Sequence, residues 1–317
     1  MPHDNIGQNL YMGLEQELQK STSPGDTFLT VGVFDGVHLG HQHLLRRLKE
    51  KAEERNAIPG VLTFRHHPLR VLSPGTPISY LAPLKARRKL LRALGIPVIV
   101  TIPFTREVAG ISARGFLELL IRYLRMRGLV VGPDFALGRD REGGGKALKA
   151  LSVEMGFELE VVFPFVLDGR VVSSTVIRQA LEVGDMRRVR EFLGRPYALS
   201  GLVVVGSGVG RGLGFPTANL RVAPGQALPA DGVYAGLAHL GGKARPSLAN
   251  IGVRPTFGGG ERVVEVYILD FDRDLYGKEL SIGLVEKLRE ERRFRGPGEL
   301  QAQIAQDVQR ARELLKV

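Results

Sequence analysis

The chain has 317 residues, of which 44% are hydrophobic and 24% are charged, and these fractions are typical of a globular protein that folds in water. Its length is sufficient for two domains that each bury a core. No apolar run approaches the roughly 20 residues that a membrane-spanning helix needs, and the stretch before residue 27 lacks the apolar core of a signal peptide. The absence of cysteine excludes disulfides and thiolate metal sites and is typical of a reducing compartment, so we expect a cytoplasmic protein with no membrane partner.

The net charge of +11 indicates an acidic partner, and both nucleic acids and nucleotides carry the required charge. Nucleic-acid-binding proteins usually concentrate basic residues and exposed aromatic residues in one patch. Here the arginines are spread through helices, tryptophan is absent, and aromatic residues make up only 7% of the chain. The densest basic cluster lies on a predicted helix with leucines along its other side, and we expect it to be a solvent-exposed face: Lys85, Arg87, Arg88, Lys89 and Arg92. Small phosphorylated ligands agree better with this charge than DNA or RNA does.

Apolar strands alternate with amphipathic helices in the first part of the chain. The predicted strands are Phe28–Val33, Val61–Phe64, Val98–Ile102, Leu129–Gly132 and Leu159–Phe163. The predicted helices are Leu39–Arg55, Leu84–Leu94, Ala113–Arg125 and Lys146–Met155. This alternation predicts an α/β fold with a doubly wound parallel sheet, which binds ligands at the carboxyl ends of its strands. We assign this first domain to residues 1–186.

The pattern changes after residue 186. A short predicted helix, Met186–Leu193, is followed by β-rich segments that are separated by glycine-rich turns. The segments are Ala198–Val205, Val233–Leu240, Arg245–Ile251, Val263–Asp270 and Glu279–Val285. Short strands of this kind, with a final helix at Glu299–Leu315, predict a compact β-barrel with a C-terminal helix in a second domain, residues 187–317.

A glycine-rich turn, GVFDGVHLGH from Gly32 to His41, joins the first predicted strand to the first predicted helix. Glycines at such a turn let the backbone approach a phosphate, and the free N–H groups of a helix start attract anions. His38 and His41 are three residues apart, so their imidazoles point the same way on a helix and form a donor pair suited to a nucleotide triphosphate. A zinc site is the rival interpretation because further histidines follow, but the chain has no cysteine and no carboxylate at a suitable helical spacing.

A second glycine motif, GVGRGLGFPTAN, runs from Gly208 to Asn219 in the predicted barrel. Four glycines in seven residues allow backbone amides to wrap a phosphate. Thr217 and Asn219 face one way if the chain is extended, and their hard oxygen atoms suit Mg²⁺. Glu265 alternates with apolar residues on a strand, and a carboxylate near Thr217 and Asn219 is suited to accept the proton of an attacking hydroxyl. A flexible turn and an exposed surface glutamate are the alternatives for these two features.

The first glycine motif resembles the G-x-F-D-G-x-H-x-G-H pattern of the bacterial FMN adenylyltransferases, a branch of the His-x-Gly-His nucleotidylyltransferases. Three later segments are similar to the same family: Thr63–Pro68, Val131–Gly138 and Ser173–Arg178. Two positions depart from the family pattern, with His66 where proline is common and Leu137 where phenylalanine is usual.

The resemblance implies roles for residues of the first domain. It implies that His38, His41 and Arg178 are catalytic, with the arginine on the leaving pyrophosphate. The implied ATP contacts are Gly32, Phe34, Asp35, Gly40, Ser174 and Thr175, and the implied flavin contacts are Phe64 and Asp134.

The second glycine motif ends in Phe-Pro-Thr-Ala-Asn, which resembles the riboflavin kinase signature, and Leu288–Phe294 is similar to a segment near the flavin pocket of that family. The resemblance implies a metal site at Thr217 and Asn219 and a catalytic base at Glu265. The remaining implied contacts are Gly208, Gly210, Arg211, Gly214 and Pro216 with ATP, and Arg289 and Phe294 with the flavin.

Over nearly its whole length the chain therefore resembles the bifunctional bacterial riboflavin kinase/FMN adenylyltransferase family, also called FAD synthetases. The resemblance implies that riboflavin is phosphorylated by ATP to FMN in the second domain, and that FMN is adenylylated by ATP to FAD in the first domain with release of pyrophosphate. We expect Mg²⁺ as the cofactor, small-molecule partners only, and no nucleic acid; the oligomeric state is left open. The alternatives are a chain with one degenerate module, an adenylyltransferase for another acceptor, and a basic nucleic-acid-binding protein.

Overall fold

The computed structural model describes residues 13–206, 209–254 and 261–316, and its contacts divide the chain into two compact units. The first unit combines the chain up to Ile78 with Leu84–Val172. The second unit combines Ser79–Pro83 with the chain from Ser173 onward. The predicted domain boundary after residue 186 assigns one activity to the residues on each side of it. This assignment stays a prediction.

The first unit alternates strands and helices, as the sequence predicts. Its strands are β1 (Thr27–Val31), β2 (Ile58–Phe64), β3 (Val98–Ile102), β4 (Met126–Val131), β5 (Ala136–Leu137), β6 (Gly143–Gly144), β7 (Glu158–Val161), β8 (Val166–Leu167) and β9 (Arg170–Val171). A helical stretch covers residues 13–19. The helices that follow are α1 (Leu39–Glu54), α2 (Leu69–Leu72), α3 (Leu84–Ala93), α4 (Arg106–Ala109), α5 (Ala113–Leu124) and α6 (Gly145–Met155), with 3₁₀ turns at Asp35–Val37 and Arg139–Arg141.

A parallel sheet forms the centre of the first unit, and in the described residues its order is β3-β2-β1-β4-β7. Every residue of β1 is buried, as expected for a central strand that is covered on both faces. Alternate β1 side chains enter different apolar clusters, Phe28 on one face and Leu29 and Val31 on the other. The predicted doubly wound parallel sheet is therefore confirmed.

The second unit begins with a helix pair and continues as a barrel. Its helices are α7 (Ser174–Glu182), α8 (Met186–Leu193), α9 (Val209–Gly212) and α10 (Pro297–Leu315). Its strands are β10 (Tyr197–Val204), β11 (Ala218–Val222), β12 (Gly232–Leu240), β13 (Lys243–Arg254), β14 (Glu261–Ile268) and β15 (Glu279–Arg289).

The strands of the second unit close into an antiparallel barrel in the order β10-β11-β14-β13-β12-β15. Helix α10 starts with proline at its first turn, where the missing N–H is harmless, and packs Ala311 into a cluster with Val233 and Leu248 of the barrel. The predicted barrel with a C-terminal helix is confirmed. Within the described ranges, no helix is both long enough and apolar enough to cross a membrane.

Candidate active sites

The first glycine motif lies at the carboxyl end of β1, where a doubly wound sheet binds its ligands. The chain leaves the sheet at Gly32 and passes through a tight turn in which Phe34, Gly36 and Val37 have φ of 53°, 80° and 44°. Left-handed backbone is costly for phenylalanine and valine, and such strain is typical of functional turns. Asp35 is buried within this turn.

Gly40 follows the turn in the first residues of α1, and a Cβ there would lie 2.8 Å from the carbonyl oxygen of Val172 and 3.1 Å from the His38 ring. The carbonyl oxygen is too close for a side chain, and the His38 ring would have to shift by a few tenths of an ångström. The sequence therefore requires glycine where the helix start passes beside the histidine.

The two motif histidines come together as a stacked pair. Their ring centroids are 3.7 Å apart with an angle of 21° between the planes. His38 is the N-cap of α1, and its Nδ1 accepts a hydrogen bond from the backbone N–H of His41 at 3.3 Å. Because Nδ1 accepts, the neutral ring carries its proton on Nε2, which becomes a donor. The prediction that both imidazoles point the same way agrees with this geometry.

The surroundings of His41 disfavour its protonated form. Burial lowers the pKa of its imidazole well below the usual value, and the charges of His38 and Arg87 lower the pKa further. The Nδ1 atom of His41 is buried and has no hydrogen-bond partner among the described residues. Since buried polar atoms are nearly always paired, the Nδ1 atom of His41 favours ligand binding at this site.

The basic cluster on α3 is only partly the solvent-exposed face that its sequence predicts. Lys85, Lys89 and Arg92 are exposed, but the expectation is wrong for Arg87, whose side chain is 1% exposed. Its guanidinium donates to the carbonyl oxygens of Val33 and, at 3.2 Å, Phe64.

The Ser-Ser-Thr segment starts a helix, as predicted, and that helix belongs to the second unit. The Ser173 side chain caps α7 by accepting from the Val176 N–H at 3.4 Å, and Ser174 and Thr175 form the first turn. Arg178 lies one turn into the helix, and its Nε donates to the carbonyl oxygen of Ser79 at 2.6 Å. Its role toward pyrophosphate stays a prediction.

The two predicted flavin residues of the first unit occupy different settings. Phe64 ends β2, is buried, and meets Phe104 edge to face with centroids 5.4 Å apart. Asp134 is exposed, and its carbonyl oxygen accepts from Arg141 at 3.0 Å. The flavin contacts of both residues stay a prediction.

The second glycine motif forms helix α9 and the turn that leads into β11. Gly208 lies outside the described residues. A Cβ on Gly210 would lie 2.5 Å from the carbonyl oxygen of Phe215, so glycine is needed there, and Gly214 has φ of 84°. Arg211, Pro216 and Thr217 line a cavity of about 150 Å³.

The barrel register places three polar side chains in a row. Asn219 on β11 is directly opposite Glu265 on β14, and Glu265 is directly opposite Asn250 on β13. Directly opposite residues project to the same face of a sheet with Cβ atoms about 4.5–5.5 Å apart. Val264 and Val266 are buried on the other face, as the alternation predicts.

Glu265 and Asn250 line a second cavity of about 280 Å³, and Thr217 lines this cavity too. Such a volume is near the lower end of the roughly 300–1,000 Å³ range of small-molecule sites. Burial raises the pKa of Tyr267, which lines the cavity and meets Phe215 edge to face at 5.5 Å.

Helix α10 and the chain after β15 close one side of this larger cavity. Arg289 donates from Nε and an Nη atom to the Asp307 carboxylate at 2.8–3.1 Å, and Asp307 is nearly fully buried. Arg289 and Arg292 lie over the Phe294 ring, 5.7 and 4.9 Å from its centroid. The structure thus places the predicted residues Arg289 and Phe294 at the same cavity as Glu265.

The sequence did not single out Asn250, Tyr267 or Asp307 as site residues. Tyr267 could have been found, because it lies two residues from Glu265 and shares its face of the strand. Asn250 and Asp307 reach the site through strand pairing and helix packing, which local spacing does not reveal.

The structure thus combines two candidate sites in one chain, one at the carboxyl end of a parallel sheet and one in a closed barrel. Comparison with known proteins agrees. A family model described as FAD synthetase matches residues 20–176, and one described as riboflavin kinase matches residues 193–315.

Curated relatives match along most of the chain. The chain is 40% identical over 287 residues to the bifunctional riboflavin kinase/FMN adenylyltransferase of Escherichia coli strain K12, covering 90% of this chain and 91% of the relative. It is 34% identical over 288 residues to the protein of the same description from Bacillus subtilis strain 168, covering 89% and 90%. The chain belongs to the family of bifunctional riboflavin kinases/FMN adenylyltransferases.

A solved structure shares this fold under a different description. It is titled macrolide-efflux protein from Streptococcus pneumoniae, with a TM-score of 0.86 and 29% identity over 93% of this chain and 96% of that chain. We carry over the fold from this match and not the activity in its title, because both family models and the curated relatives describe flavin enzymes.

Proposed function

We propose that the site around Glu265 transfers the γ-phosphoryl group of ATP to riboflavin. The terminal ribityl hydroxyl oxygen attacks the γ-phosphorus, its proton passes to the Glu265 carboxylate, and the bond from the γ-phosphorus to the bridging oxygen breaks to release ADP. The observation that carries this assignment is the position of Thr217, which lines both the cavity beside the glycine motif and the larger cavity containing Glu265. Phosphate donor and acceptor can therefore meet at one residue.

We propose Mg²⁺ at Thr217 and Asn219. The available donors are a hydroxyl oxygen, an amide oxygen and the neighbouring Glu265 carboxylate, and such hard oxygen ligands fit Mg²⁺. When bound, the ion would neutralise charge on the β- and γ-phosphates. Gly210, Arg211, Gly214 and Pro216 would surround the nucleotide, and Arg289 and Phe294 would contact the flavin.

We propose that the stacked histidines serve adenylyl transfer. An oxygen of the FMN phosphate attacks the α-phosphorus of ATP, and the bond to the bridging oxygen breaks to release pyrophosphate. Because the attacking oxygen is already an anion, this step needs no general base. His38 and His41 would instead donate to phosphate oxygens on which negative charge develops. The buried Nδ1 of His41, which lacks a partner among the described residues, supports a bound ligand.

The remaining roles in adenylyl transfer follow the family motifs. We propose that Gly32, Phe34, Asp35, Gly40, Ser174 and Thr175 contact ATP, that Arg178 contacts the leaving pyrophosphate, and that Phe64 and Asp134 contact the flavin. Residues 1–186 would suffice for this activity and residues 187–317 for the kinase. We also propose a cytoplasmic location, with which the absence of cysteine is compatible.

Product analysis tests the whole proposal. Purified protein is incubated with riboflavin and ATP, with Mg²⁺ or with EDTA, and the flavins are separated by chromatography. With Mg²⁺ we expect FMN followed by FAD, and with EDTA we expect neither. Absence of flavin turnover, together with salt-sensitive binding to duplex DNA, would contradict the proposal and support the nucleic-acid alternative.

A further inference from the structure

Arg87 is a buried cation beside the adenylyl-transfer motif. It lies on α3, it is among the largest fully buried side chains of the described residues, and neither the family motifs nor its charge pattern single it out. Burying a guanidinium is costly unless its charge and donors are satisfied, so its burial calls for a specific role.

The side chain joins the ends of two neighbouring strands. Its donors reach the carbonyl oxygens of Val33, just beyond β1, and Phe64, the last residue of β2. The Val33 carbonyl also accepts from the Thr63 hydroxyl at 3.1 Å. These contacts hold the chain at the point where it leaves the sheet and enters the strained turn at Phe34 and Val37.

The same guanidinium adds a fixed positive charge near the histidine pair. The charged or titratable groups that act on His41 are His38 from the same turn and Arg87 from α3, and both lower the pKa of His41 in addition to burial. Arg87 therefore both anchors the turn and supplies a positive charge. These two roles explain why an arginine occupies this buried position, where a leucine would pack without burying a charge.

We infer that Arg87 is a positioning residue for adenylyl transfer: it ties the start of the Val33–Val37 turn to the end of β2 through the Val33 and Phe64 carbonyl groups, and it places a permanent positive charge beside the imidazole pair. This inference rests on the proposed assignment of His38 and His41 to that site. Arginine is suited to the task because its planar guanidinium can donate to two acceptors and stays charged when buried, whereas lysine is a point donor.

The test compares Arg87→Met and Arg87→Lys with Lys89→Met, a control on the exposed side of α3. We expect Arg87→Met to lower the rate of FAD formation from FMN by about 10²-fold, because a displacement near 1 Å can cost that much. Riboflavin phosphorylation in the second unit should stay unchanged, and an unchanged circular dichroism spectrum shows that the first unit of the variant is folded. Arg87→Lys should lose a smaller part of the rate, and Lys89→Met should lose none.

The second measurement is the NMR titration of the His41 ring, assigned from the spectrum of His41→Gln. Removal of a neighbouring positive charge raises a histidine pKa, so Arg87→Met should raise that of His41, whereas the control Lys89→Met should leave it near the wild-type value. An unchanged titration in Arg87→Met, or full adenylyl-transfer activity in that variant, would overturn the inference. Normal FAD formation by His41→Gln would instead overturn the proposed site itself.

Discussion

Gly206 allows Asn219 to occupy its position beside Glu265, and Gly206→Ala should therefore impair the kinase step. A Cβ at residue 206 would lie 1.8 Å from Nδ2 of Asn219, against 3.4 Å or more for an ordinary contact, so the amide must withdraw by about 1.6 Å. The backbone of Gly206 does not have positive φ, so alanine causes no strain there. A displacement of 1 Å can cost about 10²-fold in rate, or about 2.7 kcal/mol of activation free energy.

The assay is the initial rate of FMN formation from riboflavin and ATP at several Mg²⁺ concentrations. We expect a fall of about 10²-fold in Gly206→Ala with little change in melting temperature, because the group that yields is the end of a flexible side chain. Gly212→Ala is the matched control, since Gly212 lies six residues further along, in the second glycine motif, and a Cβ there meets open space. A normal kinase rate in Gly206→Ala would refute the claim that the Asn219 amide must occupy this position.

Two further substitutions test the adenylyl-transfer assignments. His41→Ala removes a preorganised donor and should lower FAD formation from FMN by about 10²–10³-fold, measured by chromatography, while riboflavin phosphorylation continues; loss of both activities with an intact circular dichroism spectrum would argue against separate sites. Arg178→Lys keeps the charge but loses the planar fork, so FAD formation should fall, and unaltered kinetics would remove Arg178 from the site.

Periodic elements of this fold are predictable from the sequence. Val98–Ile102 and Met186–Leu193 have the predicted bounds because apolar spacing defines them locally, and Pro103 follows the strand while Gly194 follows the helix. The first strand ends two residues earlier than predicted, since Gly32 leaves the sheet and Phe34 adopts left-handed backbone. Strand Ala218–Val222 was not predicted, because its first two residues belong to a glycine motif that suggests a phosphate loop. Pairing with β10 in the barrel makes this segment extended.

The site was predictable where its residues are close in sequence. The His38–His41 pair needs only the spacing of a helix start, and the side of the strand on which Glu265 lies needs only alternation. The row of Asn219, Glu265 and Asn250 depends on register between distant strands. The burial of Arg87 depends on carbonyl groups more than 20 residues away, so a basic helix face was the expected but wrong interpretation.

The central claim is that one chain performs two separate displacements, and Glu265→Gln tests it most directly. Glutamine has a similar shape but is a very poor base, so FMN formation from riboflavin should fall by about 10²–10⁴-fold. The same protein supplied with FMN and ATP should form FAD at the wild-type rate, and Glu286→Gln on β15, a strand that does not pair with β14, should retain both activities. Near-normal FMN formation by Glu265→Gln, or loss of both activities in a folded protein, would contradict the account.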